Sequence, residues 1–492
     1  MRLIRLSVAL ATVGCLVGGA SAASVSAAGS PYTKTTAMFH ATGLGPTANH
    51  SCDIAYDLYV PNSALNGATP APAILTTNGF GGSKNDQAGN ADLWASNGYV
   101  VLSYSGLGFG GSSCPISLDS PEWDGRAASQ LVSFLAAMPE VLKDGANDPR
   151  IGTWGGSYGG GFQFALAAVD QRIDAMVPEI TWNDLSYSLT PNNNSASLIY
   201  NQYTNPGVPK EEWTSLFFAL GQAQPAMHQG LSGWTDNVDG QPSTGTFNPA
   251  CPGFQQGACT SYATGAAMGY PIKSTVGLLH GVSAQYEYFE NCKAGHYPPT
   301  LLAQGQTDTL FLINEAVANY NATRKCGGDA KLVLKLGGHS GPAAAGEYNS
   351  TNPSNGYITQ VELNWFDHYL KGTGVSTGPA VEYFKDWVSY DTGGSAQPAY
   401  GSASAWPVGG TQTYYLSGGV QNSSGTLVSS VGAITPGRVV FASTPGGEAG
   451  YSETASFNTS VTFLPPTDPA GTFGSFTSAP LATDLDSVGI PS

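Results

Sequence analysis

The chain has 492 residues, 64 of them glycine, with only 11% charged residues and a net charge of −16. That acidity argues against nucleic acid or anionic membrane as partners, since both are bound chiefly through excess Lys and Arg. At this length two domains are expected, and low charge density with abundant small residues fits a secreted protein.

Residues 1–28 read as a secretory signal peptide. Arg2 and Arg5 precede an apolar run over residues 6–17, and Ala22, Ala27 and Ala28 offer cleavage points. A lipid anchor at Cys15 is the weaker reading, because apolar residues continue past it. No later apolar stretch is long enough to span a bilayer. Beyond the leader lie Cys52, Cys114, Cys251, Cys259, Cys292 and Cys326. An even count in an exported chain points to disulfides, for which six cysteines allow fifteen pairings. Cys251 with Cys259 would close a short loop, Cys292 with Cys326 would clasp the segment carrying Asp308, and Cys52 with Cys114 would remain. Buried free thiols are the alternative. No C-x-x-C pair occurs, which argues against zinc; no metal or cofactor is expected.

Residues 31–69 alternate apolar and polar positions (Ile54, Tyr56, Leu58, Val60) between turn residues, which predicts antiparallel strands. From residue 71 short continuous apolar strands alternate with helices. Strands are predicted at 73–77, 99–104, 151–154 and 175–182, helices at 87–97 and 125–142, and a further helix follows Ser157. This rhythm predicts a parallel sheet with helices on both faces, an α/β fold. Residues 185–292 break it. Helical pieces at 211–220 and 272–282 flank a loop rich in Gly, Pro, Asn and Thr, an insertion far too long for a plain crossover and suited to a cap or lid. The rhythm resumes with a strand at 300–304, a helix at 310–323, a strand at 331–336 and a closing helix at 359–370. Beyond residue 378 only short β-type runs appear, which predicts a second, all-β domain over 378–492.

The chemistry centres on Gly155-Gly156-Ser157-Tyr158-Gly159, which fits G-x-S-x-G, a sharp strand-to-helix turn that lifts a serine hydroxyl above a sheet. In a chain this rich in glycine and serine the five residues alone mean little. Serine needs a base to take its proton, and the base needs a carboxylate to hold its tautomer. Asp308 and His339 follow in that order, each just after a predicted strand, and loops after parallel strands gather at one sheet edge. Ser157, Asp308 and His339 are therefore the predicted nucleophile, orienting acid and base. The backbone N–H of Tyr158, with that of Phe80 or Gly81 from the glycine-rich turn 78–83, would form the oxyanion hole. His40, His50, His228, His280 and His368 sit in less suitable places. The run 236–240 lacks the ligand spacing of a calcium loop and reads as a turn. Asn193-Asn194-Ser195 is a glycosylation sequon.

As a set, residues 78–84 (NGFGGSK), 154–160 (WGGSYGG), 177–185 (VPEITWNDL), 305–311 (GQTDTLF), 336–341 (LGGHSG) and 365–372 (WFDHYLKG) resemble the cocaine-esterase and X-prolyl dipeptidyl-peptidase family of α/β-hydrolases. The resemblance covers roughly residues 50–490. It implies an α/β-hydrolase domain over 29–377, a helical cap from the 185–292 insertion, and a C-terminal jelly-roll-like β-sandwich over 378–492. It also implies the same three residues as the triad. Three departures stand out. The first glycine loop carries Phe80 where several members supply a tyrosine to the oxyanion hole. Thr309-Leu310-Phe311 follow the aspartate where relatives acting on amino-acid esters carry acidic residues. The β-sandwich is shorter than in the family, which leads us to expect unpaired edges and lower solubility or stability.

The expected activity is a secreted serine hydrolase cleaving ester or amide bonds of a small-molecule ester or peptide, X-Pro dipeptidyl-peptidase-like. A carboxylesterase without peptidase activity is one alternative, a non-catalytic polymer- or glycan-binding protein another. Trp182, Trp213, Phe217, Phe218, Tyr286, Tyr288 and Phe289 could line an apolar acyl pocket, while Asp184, Glu287 or Glu290 could hold a substrate amine. Nothing in the sequence fixes the oligomeric state.

Overall fold

The structure, a computed structural model, describes residues 29–191, 207–227, 237–238, 250–269, 273–410, 412–418, 424–441 and 473–480. The leader, the sequon at Asn193 and most of the 236–240 run lie outside the described residues.

Among the described residues ten strands form the main sheet: β1 (Tyr32–Leu44), β2 (His50–Pro61), β3 (Ala73–Thr77), β4 (Val100–Tyr104), β5 (Ile151–Gly156), β6 (Ala175–Glu179), β7 (Thr300–Gly305), β8 (Ala330–Lys335), β9 (Val381–Phe384) and β10 (Tyr400–Ala403). Their spatial order is β1-β2-β4-β3-β5-β6-β7-β8-β9-β10, and the pair Asn237–Val238 adds to β2. From β4 to β9 every pairing is parallel, whereas β1, β2 and β10 are joined antiparallel at the two edges. The parallel strands are buried on both faces, which is why β3 and β4 read as short, largely apolar runs without alternation.

Helices cover both faces. On one lie α2 (Arg126–Ala137), α3 (Tyr158–Ala167) and α8 (Ile313–Lys325), through Leu131, Phe162 and Tyr320. On the other lie α1 (Ala88–Ser96) and α9 (Tyr357–Tyr369), through Trp94, Trp365 and Phe366. Alternate residues of β4 divide between these layers, Val100 and Leu102 to the first and Val101 to the second. The fold is that of an α/β-hydrolase, as expected.

Between β6 and β7 the chain forms α4 (Leu185–Leu189), α5 (Glu211–Met227), α6 (Gln256–Met268) and α7 (Lys273–Gly281). The sequence pointed to α5 and α7 but not to α6. Its apolar residues are mostly alanines and its remainder Gln, Gly, Ser and Thr, so no apolar stripe marks it; the Cys251–Cys259 disulfide and packing against α7 hold it. Cys52–Cys114 and Cys292–Cys326 form the other two disulfides. Joining residues 62 apart, the first restrains the unfolded chain by about 4 kcal/mol.

Two expectations need revision. The helix drawn over 125–142 stops at Ala137, because Met138 precedes Pro139 and is extended, and the chain then turns into a small hairpin. The boundary at 378 is also displaced. Strands β9 and β10 belong to the main sheet, Leu332 pairing with Val381 and the buried Lys331 meeting Glu382 at 2.6 Å. The separate β unit begins after β10. Among the described residues it contributes three short strands, β11 (Tyr415–Ser417), β12 (Ser424–Val428) and β13 (Ser475–Thr477).

Candidate active site

Ser157 stands between β5 and α3 with φ 59° and ψ −121°, a conformation that non-glycine residues rarely adopt. The close passage of three backbones maintains it. A Cβ on Gly159 would lie 2.6 Å from the carbonyl oxygen of Thr77, and one on Gly155 would lie 2.4 Å from that of Gly159, so both must be glycine. The Ser157 N–H donates to the Glu179 carbonyl at 3.0 Å, and the Thr181 hydroxyl donates to the Ser157 carbonyl at 3.0 Å, tying the turn to β6.

His339 lies in the loop after β8 and Asp308 in the loop after β7, so three strand ends converge. Ser157 Oγ is 2.8 Å from His339 Nε2, and His339 Nδ1 is 3.0 Å from Asp308 Oδ2. The Asp308 carboxylate is fully engaged. Its Oδ1 accepts from the Leu310 and Phe311 N–H groups at 2.8 Å each, and its Oδ2 also accepts from Gln304 Nε2 at 3.0 Å. With Nδ1–H donating to this acceptor, Nε2 is left to accept the serine proton. Edge-on contacts from Trp213 and Phe311, 5.6 and 5.0 Å between ring centroids, fix the imidazole and limit its access to water. The sequence missed Gln304, which resembles any polar residue near the end of a strand.

The predicted oxyanion donors are also adjacent. Tyr158 opens α3, so its N–H belongs to the first turn, whose donors lack intrahelical partners. Its hydroxyl is not available, being buried and accepting from the Asp119 N–H at 2.9 Å. The loop bearing Phe80 and Gly81 passes Ser157 closely enough that a Cβ on Gly79 would lie 3.9 Å from the serine Cβ. Asn78 pins that loop, its Oδ1 accepting from the Gly106 N–H and its Nδ2 donating to the Gly79 carbonyl.

A cavity of about 390 Å³ opens on Ser157 beneath α5, α6 and α7. Trp182, Phe217 and Phe218 line it as the sequence suggested, joined by Phe80, Phe254 and Tyr262, which it did not offer as lining. Other candidates lie elsewhere. Asp184 caps α4 and meets His280 Nδ1 at 2.8 Å, which commits its carboxylate, and Tyr286 packs on His280 at 3.9 Å. Neither is part of the cavity wall. Phe289 packs into the core against Phe164. Glu290 has one carboxylate oxygen buried without a hydrogen-bond partner among the described residues, and burial raises it to about 7. The side chain of Glu287 lies outside the described residues.

Behind Tyr158, Asp119 and Asp124 are both buried. Burial and then the charge of Asp124 push Asp119 well above the carboxylate range, and neither of its oxygens has a hydrogen-bond partner among the described residues. Burial raises Asp124 to about 7, partly opposed by the Ser117 hydroxyl and backbone N–H groups. A carboxyl raised in the folded state binds its proton more tightly there than when unfolded. Its contribution to stability is present below about pH 4 and is lost as the pH climbs through about 7. Asp124→Asn removes that dependence. The melting temperature of the variant is therefore expected to fall less between pH 4 and 7 than that of the wild type. Parallel profiles in calorimetry would refute the assignment.

The strand order is that of an α/β-hydrolase fold, with Ser157, His339 and Asp308 brought together at one sheet edge. Residues 51–204 match the model of the X-Pro dipeptidyl-peptidase (S15) family, which bears out the resemblance over that stretch. An uncharacterized protein of Pseudomonas aeruginosa is 28% identical over 179 residues, which span 36% of this chain and 46% of that one. Among solved structures, an aminopeptidase from a marine sediment Thaumarchaeota archaeon aligns at 14% identity and TM-score 0.44, covering 79% of this chain and 60% of its own. An acetyl xylan esterase from Paenibacillus aligns at 14% identity and TM-score 0.37, covering 69% and 90%. The chain thus spans about half the length of the curated relative it matches.

Proposed function

We propose that the chain is a secreted serine hydrolase that cleaves carboxylic esters through an acyl-enzyme. The observation that carries this reading is the unbroken hydrogen-bond chain from Ser157 Oγ through His339 to Asp308, at the floor of an apolar cavity. Ser157 attacks the carbonyl carbon as His339 Nε2 takes its proton. The Tyr158 N–H and one from Phe80 or Gly81 hold the oxyanion, aided by the N-terminal end of α3. Collapse of the tetrahedral species expels the alcohol, which receives the proton from His339, and water then reverses the sequence on the acyl-enzyme. Asp308 holds the imidazole in its tautomer throughout. Three disulfides support an oxidising compartment, and no helix among the described residues is long and apolar enough to cross a membrane.

The family match favours a second reading, removal of X-Pro dipeptides. That reaction needs an anion for the substrate's free amine, and Glu211, on the exposed first turn of α5, is the one carboxylate among the described residues of the cavity wall. Hydrolysis of a short aryl ester at least a hundredfold faster than of an aminoacyl-prolyl anilide is the expected result. The reverse order would establish the dipeptidyl-peptidase. Failure of both substrates and of a fluorophosphonate label would leave a binding protein.

A further inference from the structure

Resting on Ser157 as the nucleophile, we propose that its cavity is an acyl-chain pocket for esters of unbranched medium-chain fatty acids. The far end of α6, at Gly265 and Ala266, sets the length limit.

Two features give the cavity its length. Rings form a continuous wall away from the nucleophile: Phe80 meets Phe254 at 6.0 Å, Phe254 meets Phe218 at 5.6 Å, and Phe218 stacks on Tyr262 of α6 at 3.8 Å between centroids. Helices α5, α6 and α7 close over it. On α6 the lining residues Ala258, Ser261, Tyr262, Gly265 and Ala266 follow helical spacing, so this one face extends about 12 Å along the axis. At about 1.25 Å of advance per C–C bond, an extended chain covering that distance has roughly ten carbons. A single aromatic acyl group would fill only the part nearest Ser157.

The lining chemistry points the same way. The described wall contains no Lys, Arg or His, and its one carboxylate, Glu211, sits on an exposed turn. The remaining polar contributions are hydroxyls of Ser, Thr and Tyr, together with Ser157 itself. Such a channel rewards methylenes, each worth about fourfold when buried. Gly265 lines the cavity, and a Cβ there would meet nothing within 4 Å. A larger side chain at Gly265 enters the channel without moving backbone, and leucine suits a helix better than glycine does.

The test is a series of p-nitrophenyl esters from acetate to dodecanoate, with benzoate, each below its micelle concentration. Rates are normalised to sites titrated by a fluorophosphonate. The wild type is expected to gain at least a hundredfold in kcat/KM from acetate to octanoate and to lose activity by dodecanoate. Gly265→Leu, and independently Ala266→Leu, should lower the octanoate-to-acetate ratio at least tenfold and move the optimum to shorter chains. Best turnover of acetate or benzoate, or an optimum unmoved in both variants, overturns the proposal while Ser157 still labels. Absence of labelling overturns the nucleophile reading and this proposal with it.

Discussion

Ser157→Ala is expected to lower kcat on an aryl ester by five to six orders of magnitude, on the order of what removing the nucleophile of a Ser-His-Asp enzyme costs. The variant loses the one atom that can form the acyl bond, while the donors around the oxyanion stay in place. Binding should persist, so KM should change far less than kcat. The fold should persist too. Alanine is no more strained than serine at φ 59°, and the turn is held by backbone and by Thr181, not by the Ser157 hydroxyl. A melting temperature close to that of the wild type, with labelling lost, is the full expected signature. Retention of a tenth of the activity by purified variant would assign the chemistry to another group.

The sequence made the sheet legible because parallel strands buried on both faces leave short, largely apolar runs, and because the glycine turns punctuate them. Ser157, Asp308 and His339 were legible for a related reason: each lies just past such a run, and the topology sends those positions to one edge. What stayed hidden lacks a local signal. Gln304 is conspicuous only once its amide is seen on the Asp308 carboxylate. Helix α6 shows no apolar stripe, because apart from Tyr262 the face it turns to the cavity is made of small residues that leave space. Asp184 was selected for its charge next to a motif, but that charge is spent on the α4 cap and on His280. Strands β9 and β10 were given to the second domain because nothing in a short β-run says which sheet it will join.

Asp308→Asn is expected to lower kcat by about four orders of magnitude, the loss found when the acid of such a triad is replaced by its amide. The hydrogen bonds around Asp308 explain why. All four of its neighbours, the Leu310 and Phe311 N–H groups, Gln304 Nε2 and His339 Nδ1, point donors at the carboxylate. An asparagine has one oxygen to offer and settles best with it toward the two backbone N–H groups. Its amide then faces Gln304 and His339. The imidazole must answer with an unprotonated Nδ1, which moves its proton to Nε2, and Nε2 becomes a donor toward Ser157 where a base is required. Gln304 can be relieved only by turning its amide, at the cost of its bond to the Phe311 carbonyl at 2.6 Å. The variant is therefore also expected to lose about 1–3 kcal/mol of stability for a buried donor left unmatched. Asp308→Ala separates the two effects: it removes the acceptor without imposing the wrong tautomer, so a kcat above that of Asp308→Asn would support the tautomer account. Equal activity of Asp308→Asn and wild type, with the variant folded, would exclude Asp308 as the partner of His339.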